Sequence, residues 1–258
     1  MIRHLVLCGL SMALAVALGG GARADNAAPA APPLKIMPAP APVTIDGDLG
    51  EWNLEGKLGP ETFDPDVKDD YNATCYAMWD ADNLYLAAVI VEPHPPYNTF
   101  PVKGVGDWNG DDVIIRMSSN PARAWPIAGS PESFQKDPDL FTGSFWWNHL
   151  KKRTYWGCYH GMDIAEVVAE AGAGTQVAVK PAADGKGYTE EIKLPWKTIN
   201  PNYHPRAGDR IAFSWEISVG SANPGEPGRA FQIFLNGGGS DAFRTPTLWG
   251  QAVVAAAP

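Results

Sequence analysis

The stretch IAFSWEISV, residues 211–219, decides the fold class of this chain. Every second residue from Ile211 onward is large and apolar, and the residues between are small or polar. Because successive side chains of a β-strand point to opposite faces, the pattern predicts a strand with one face packed in a core and the other facing water. The second face carries Glu216 and Ser218 and is a candidate ligand surface.

Other short segments with alternating or β-branched residues recur along the chain. Residues 73–79 and 84–91 are joined by Asp80-Ala81-Asp82-Asn83, which predicts a hairpin. Further strands are predicted at 113–117, within 145–156, and at 176–180, 187–194, 230–235 and 249–254.

Helices are predicted to be few, because 27 Gly and 24 Pro interrupt most windows long enough for three helical turns. The helical candidates are a brief turn at 195–199 and the segment 163–171. Together the elements predict an all-β fold, an antiparallel β-sandwich with a few short helical turns.

The N-terminus predicts export. Arg3 and His4 precede an apolar run at 5–18, and Ala22-Arg23-Ala24 supplies a small-x-small cleavage pattern. Residues 1–24 are therefore predicted to be a signal peptide, and the run is too short to cross a bilayer. Residues 25–42 are rich in Ala and Pro and are predicted to form an extended linker, which leaves residues 43–258 as one domain in a secreted or periplasmic protein.

The formal net charge of −9 disfavours a polyanionic partner such as nucleic acid. Of the three cysteines, Cys8 lies in the predicted signal peptide, so Cys75 and Cys158 remain. In an oxidising compartment these two could form a disulfide. The alternative, two separately buried thiols, stays open because the sequence does not give the distance between them.

Six motifs in a fixed order resemble the family 9 carbohydrate-binding modules, which belong to a larger group of sandwich domains that includes haem-binding cytochromes. They are VTIDGDLGEW (43–52), WD with NLYL (79–86), WNGDDV (108–113), GYTE with LPW (187–196), GDRIAF (208–213) and PTLWG (246–250). The resemblance covers the predicted domain except for residues 118–175, where no motif matches.

The resemblance implies a sandwich that grips a sugar between two aromatic side chains. By position these are Trp108 and Phe243, with Glu216 and Ser218 as polar strand residues and Asp111 in the turn that follows the first aromatic. Flat rings cover the apolar faces of a pyranose, and fixed polar groups select its hydroxyls. The expected partners are mono- or oligosaccharides and polysaccharide ends.

Two positions depart from the family pattern. Ile114 occupies a strand position where the family has an acid, and Phe243 stands where a Trp is expected. The family also implies structural calcium, for which the acidic candidates are Asp46, Asp48 and Glu51, and Asp111 with Asp112. None of these has the twelve-residue spacing of an EF-hand.

No catalytic constellation is evident in the sequence. Glycoside hydrolysis needs two carboxylates about 5–10 Å apart across a cleft. The pairs Asp111/Asp112 and Glu190/Glu191 are neighbours in sequence, and neighbours on a strand point to opposite faces. The chain is therefore predicted to be no enzyme, and at most an accessory in polysaccharide breakdown.

Three hypotheses about function remain at this level. The first is non-catalytic sugar binding. The second is haem-based electron transfer on the same fold, suggested by His160 and Met162; these lie too close in sequence to face each other across a haem, so His94, His149 or His204 would have to contribute. The third is a structural or protein-interaction module.

Overall fold

A computed structural model describes residues 32–103, 106–161, 166–220 and 229–257 of the chain. These residues belong to one unit that starts at Pro32. The predicted signal peptide lies outside the described residues.

Thirteen strands and a few short helical segments make up the fold in the residues that the structure describes. The strands are β1 Leu34–Pro38, β2 Leu58–Glu61, β3 Asn72–Trp79, β4 Asn83–Val91, β5 Asp112–Ser118, β6 Leu140–Asn148, β7 Arg153–His160, β8 Val167–Glu170, β9 Gln176–Pro181, β10 Tyr188–Pro195, β11 Arg210–Gly220, β12 Arg229–Leu235 and β13 Gly250–Val254. The α-helices are α1 Pro131–Phe134 and α2 Trp196–Ile199, and 3-10 turns lie at Leu54–Gly56, Pro65–Val67, Asp107–Asn109 and Pro246–Leu248.

The strands form two layers that share β1. One layer runs β8-β7-β6-β5-β11-β13, with β12 also paired to β11, and the other runs β3-β4-β10-β9, with β2 paired to β3. Most pairings are antiparallel, including the predicted hairpin of β3 and β4. The all-β sandwich is confirmed.

Strand β1 corrects the predicted domain boundary. Residues Leu34–Pro38 were expected in the linker, yet they pair in parallel with β13 through Leu34 and Ala252 and with β3 through Met37 and Met78. The sheet is therefore mixed and not wholly antiparallel. Composition misled here because Ala and Pro surround a short apolar run whose partners lie far along the chain.

The main core lies between the layers and takes the inward face of nearly every strand. On β11 this face comprises Ile211, Phe213, Trp215 and Ile217, as the alternation predicts, and all four are buried. A second cluster, here named the loop core, lies outside the sheet of β11. It consists of Ile127, Phe134, Leu140, Ala212, Ala242 and Trp249.

The helical predictions had mixed outcomes. The turn after Pro195 is α2, as predicted. The helix predicted at 163–171 is wrong where the structure describes it, because Val167–Glu170 is an edge strand paired to β7. In the described part of the chain, no helix is long and apolar enough to cross a membrane.

The predicted disulfide is absent. Cys75 on β3 and Cys158 on β7 are free thiols in the main core, so the alternative of two separately buried thiols is correct. Burial raises the pKa of both thiols, that of Cys158 to about 12. Both groups therefore stay protonated and unreactive in the folded protein.

The first prediction concerns β1. Ile36 is fully buried, so Ile36→Ala should lower the free energy of unfolding by about 2–5 kcal/mol through lost burial and a residual cavity. Lys35→Ala, on the exposed face of the same strand, should change it by less than about 0.5 kcal/mol. Denaturant unfolding measures both variants, and equal effects would contradict the placement of β1 in the sheet.

The second prediction concerns the thiols. In a chain expressed from Asp25 onward, a thiol reagent should label neither Cys75 nor Cys158 readily in the native protein and should label both after unfolding without reductant. Mass spectrometry counts the labels. A requirement for reductant would show that the two cysteines are bonded after all.

Candidate functional site

The outer face of β11 is polar, as the sequence predicts, but it does not face open water. Ser214, Glu216 and Ser218 lie on this face, and all three are buried, with Glu216 only 3% exposed. The expectation that this face lines solvent is therefore wrong. A buried polar face needs hydrogen-bond partners, and the neighbouring strands provide them.

An ion pair between two adjacent strands dominates this face. Arg116 on β5 contacts Glu216 with 2.7 Å between Nη2 and Oε2, and each side chain is about 5% exposed or less. Ser218 donates its hydroxyl to Glu216 Oε1 over 3.2 Å, and Gln232 on β12 donates its amide to the same oxygen. Removing one charge of such a buried pair typically costs about 3–5 kcal/mol, because the other charge stays buried without compensation.

The same face also carries donors that have no protein partner. The Nε and Nη1 groups of Arg116 and the hydroxyl of Thr142, its direct neighbour on β6, are buried and unpartnered within the described part of the structure. Each such group costs about 1–3 kcal/mol when it loses water without gaining a new bond. The outer face therefore has spare capacity for hydrogen bonds to oxygen atoms of a ligand.

Trp108 lies at one end of this face, on the 3-10 turn before β5. It is 45% exposed, one of the largest exposures of an apolar side chain in the described structure. Its ring folds over Gly106, where an added Cβ would come within 2.1 Å of the indole. Gly106 therefore allows the ring to lie flat against the backbone with its other side toward solvent.

Asp111 anchors the loop that carries Trp108. Its two carboxylate oxygens accept the backbone N–H groups of Tyr97 and Gly220, the second over 2.5 Å, and its side chain is buried. Asn98 donates to the carbonyl oxygens of Asp107 and Asp111, over 2.7 and 3.0 Å. Asp111 thus fixes the loop against the end of β11, and its lone pairs are directed at backbone groups.

Buried carboxyl groups surround Asp111. They are Glu92 at the end of β4, Asp112 on β5 and Glu190 on β10. Burial, together with the hydrogen bond and charge of Asp111, raises the pKa of Glu92 to about 9, and burial raises the pKa of Asp111 less because backbone N–H groups stabilise its charge. A proton on Glu92 lets the two buried carboxyl groups lie near each other without two uncompensated negative charges.

Phe243 lies in the loop between β12 and β13. It is 40% exposed, and the guanidinium of Arg244 sits 4.3 Å from its ring centre. The preceding residue, Ala242, is fixed in the loop core, where its carbonyl accepts the indole N–H of Trp249 over 2.8 Å. The buried neighbour holds the turn in place, so the phenyl ring projects outward.

The Trp108 and Phe243 loops reach β11 at different points. The Trp108 loop contacts Gly220 through Asp111, whereas the Phe243 loop contacts Ser214 through the carbonyl of Gly237. Strand residues rise about 3.3 Å each, so these points lie about 20 Å apart along β11, with Glu216 between them. Neither ring contacts another aromatic ring in the described structure.

Sequence reasoning missed Arg116, Thr142 and Gln232. Arg116 could have been found, because it is the one charged residue within the apolar run VIIRM and shares a face with Ile114. Thr142 and Gln232 carry no local signal, since their relevance comes only from strand register.

Most of the calcium candidates are engaged in contacts within the protein. Asp48 pairs with Lys180, Asp46 accepts the N–H of Asp48, and Glu51 accepts that of Thr44. Asp111 is bound to backbone N–H groups as described above. No three acidic, His or Cys side chains of the described residues form a group able to hold a metal.

The residues suggested for haem are not brought together. His160 at the end of β7 has both ring nitrogens in hydrogen bonds, to Glu166 and to the carbonyl of Ile199. His149 precedes the start of the same strand and lies beside Tyr97. Met162 lies outside the described residues.

Comparisons with solved structures identify the fold. A carbohydrate-binding module of family 9 from Caldicellulosiruptor kristjanssonii, solved in complex with glucose, matches 87% of this chain and 97% of its own at 17% identity and a TM-score of 0.59. The same kind of module in complex with cellotriose matches 87% and 95% of the two chains at 17% identity and a TM-score of 0.57. No protein-family model and no curated protein sequence matches the chain.

The fold is therefore that of the family 9 carbohydrate-binding modules, as the resemblance in sequence predicts. At 17% identity the likeness establishes the architecture, and the sugars belong to those other proteins. The functional conclusion for this chain depends on its own side chains.

The third prediction follows from the proton on Glu92. Between about pH 4.5 and 9 the folded protein binds more protons at this site than the unfolded chain does, so the free energy of unfolding should fall as the pH rises. Glu92→Gln cannot ionise and should remove part of this fall, an effect of order 1 kcal/mol or more. Denaturant unfolding at pH 5 and pH 9 measures the difference.

Glu61→Gln serves as the control, because Glu61 is exposed on β2. It should leave the pH dependence unchanged. If Glu92→Gln and the parent protein lost the same free energy of unfolding between pH 5 and pH 9, Glu92 would not be protonated in the folded protein.

Proposed function

We propose that this chain is an exported, non-catalytic carbohydrate-binding module in which Trp108 and Phe243 each offer an exposed ring to a saccharide. Because their loops reach β11 about 20 Å apart, the two rings would contact different residues of an oligosaccharide. The observation that carries the proposal is the pair of exposed rings on two anchored loops at either side of a polar strand face. Exposed aromatic rings cost apolar hydration unless a ligand covers them, and sugars present apolar C–H faces that suit them.

In this proposal selectivity comes from the polar face of β11 between the two loops. Sugar hydroxyls donate and accept hydrogen bonds, and the Nε and Nη1 groups of Arg116 have no partner among the described residues. Gln232 is only half-buried, so it is the most accessible polar side chain of this face. Glu216 and Ser218 act together with Arg116 as one network, which fixes the geometry of the donors before a ligand arrives.

The apolar Ile114 is compatible with this arrangement. Ile114 pairs directly with Glu216 across β5 and β11, and paired Cα atoms lie about 4.5–5.5 Å apart. The carboxylate that the family pattern places on β5 is therefore available from the adjacent strand. Phe243 offers a smaller ring than the expected Trp, which favours weaker binding.

We assign no catalysis to this face. Glu216 is held by Arg116, and Asp111 is held by backbone N–H groups, so neither carboxyl is available as an acid or base. Targeting of a hydrolytic partner to polysaccharide ends is the role that the proposal gives to the chain, with residues 1–24 as the export signal.

The fourth prediction tests the sugar site. Trp108→Ala and Phe243→Ala should each weaken binding of glucose or cellotriose by about tenfold or more, because a stacked ring is lost. Phe63→Ala is the matched control, since Phe63 is also 40% exposed but lies against Tyr71 and Phe231 far from the two loops in sequence. Isothermal titration calorimetry measures the affinities.

A gain-of-function variant makes the test sharper. Phe243→Trp should tighten binding by about two- to tenfold, because the larger ring covers more of the sugar face. Thermal unfolding checks that each variant is folded. If the parent protein bound no glucan, xylan or simple sugar, or if all variants bound alike, the chain would be a structural or protein-interaction module.

A further inference from the structure

A second polar cavity lies on the same layer, at the other end of β11. Its volume is about 200 Å³, and its floor is a row of three residues from adjacent strands, namely Ser118, Ala212 and Gln251. Arg210 closes one end, and the segment that follows β5, which includes Trp125, forms the wall. Ala212 contributes only a methyl group to this floor.

This cavity adjoins the Phe243 loop and lies toward the end of β11 that is remote from the Trp108 loop. The loop core covers Ala212 and holds the Phe243 loop through Ala242 and Trp249. The wall residues belong to the stretch after residue 117, where the sequence shows no family motif. The wall of the cavity is therefore formed by a part of the chain that carries no family motif.

Trp125 is fixed in a position suited to ligand stacking. Its indole N–H donates to the carbonyl of Trp249 over 3.0 Å, yet the side chain remains 37% exposed and lines the cavity. A ring whose polar atom is already bonded to protein presents only its apolar surface. Such a ring loses little conformational entropy when a ligand covers it.

The charge of the lining selects for an anion. Two arginines and no acid are among the described residues that line the cavity, although the whole chain has a net charge of −9. Arg123 is already paired with Asp137 over 2.5 Å. Arg210 contacts only the neutral amide oxygen of Gln251, over 2.9 Å, and makes no ion pair among the described residues.

We propose that this cavity binds a uronic acid residue of an acidic polysaccharide. Trp125 covers the sugar ring, and the guanidinium of Arg210 binds the carboxylate, for which its planar fork is suited. Gln251 and Ser118 lie where ring hydroxyls would contact the floor. This inference rests on the proposed function, to which it adds acidic saccharides as a second class of ligand.

The experiment uses the Trp108→Ala variant, in which the proposed first site is disabled. Glucuronic and galacturonic acid are titrated, with glucose and acetate as neutral and non-sugar controls, and two-dimensional NMR follows the indole N–H signals. We expect saturable shifts of the Trp125 signal with at least one uronic acid and none with glucose or acetate. The affinity should fall as salt is raised.

Matched variants then assign the site. Arg210→Ala should weaken uronic acid binding by about tenfold or more, whereas Arg206→Ala, which removes the same charge from a nearby exposed turn, should not. Trp125→Phe keeps an aromatic ring if Trp125→Ala disturbs the fold, and it should weaken binding less. Thermal unfolding confirms that the variants are folded.

Three results would overturn the proposal. They are the absence of binding by either uronic acid, equal binding of acetate, and unchanged uronic acid binding in Arg210→Ala. Each of these can occur while glucose or cellotriose still binds to the parent protein through Trp108, so failure of the second site is distinguishable from failure of the first.

Discussion

Strand β11 is buried on both of its faces, and the rest of the structure follows from that constraint. Its inner face packs in the main core through Phe213 and Trp215, which is favourable without further partners. Its outer face carries Glu216, whose charge must be compensated once water is excluded. Arg116 supplies that compensation from the next strand. The ion pair forms only in the observed register of β5 and β11, and it in turn favours that register.

The exposed aromatic rings depend on buried anchors. Trp108 projects because Asp111, in the same loop, binds the backbone N–H groups of Tyr97 and Gly220. Phe243 projects because Ala242, beside it, is fixed by Trp249. In both loops a buried group makes the ring position rigid, and rigidity lowers the entropy that a ligand must overcome.

Local sequence patterns predicted much of the architecture, but they did not predict where the domain begins or which element forms after β7. Alternation of apolar and polar residues located the β3–β4 hairpin and β11, because this two-residue period is a local property of the sequence. It failed for β1, whose five residues have partners at positions 78 and 252. It also failed for Val167–Glu170, where an edge strand with one neighbour needs no strong apolar pattern. Whether Cys75 and Cys158 are bonded could not be predicted for the same reason, since the number of cysteines does not give the distance between them.

The sequence by itself determined an all-β sandwich, the two aromatic candidates and the polar face of β11, because side-chain type and alternation are local properties. Only the tertiary structure decided that this face is covered, that Asp111 anchors a loop, and that Arg116 and Gln232 converge on Glu216. Burial, register and ion pairing depend on which distant strands become neighbours. Which strands become neighbours is determined by the whole fold and cannot be inferred from the sequence of any single segment.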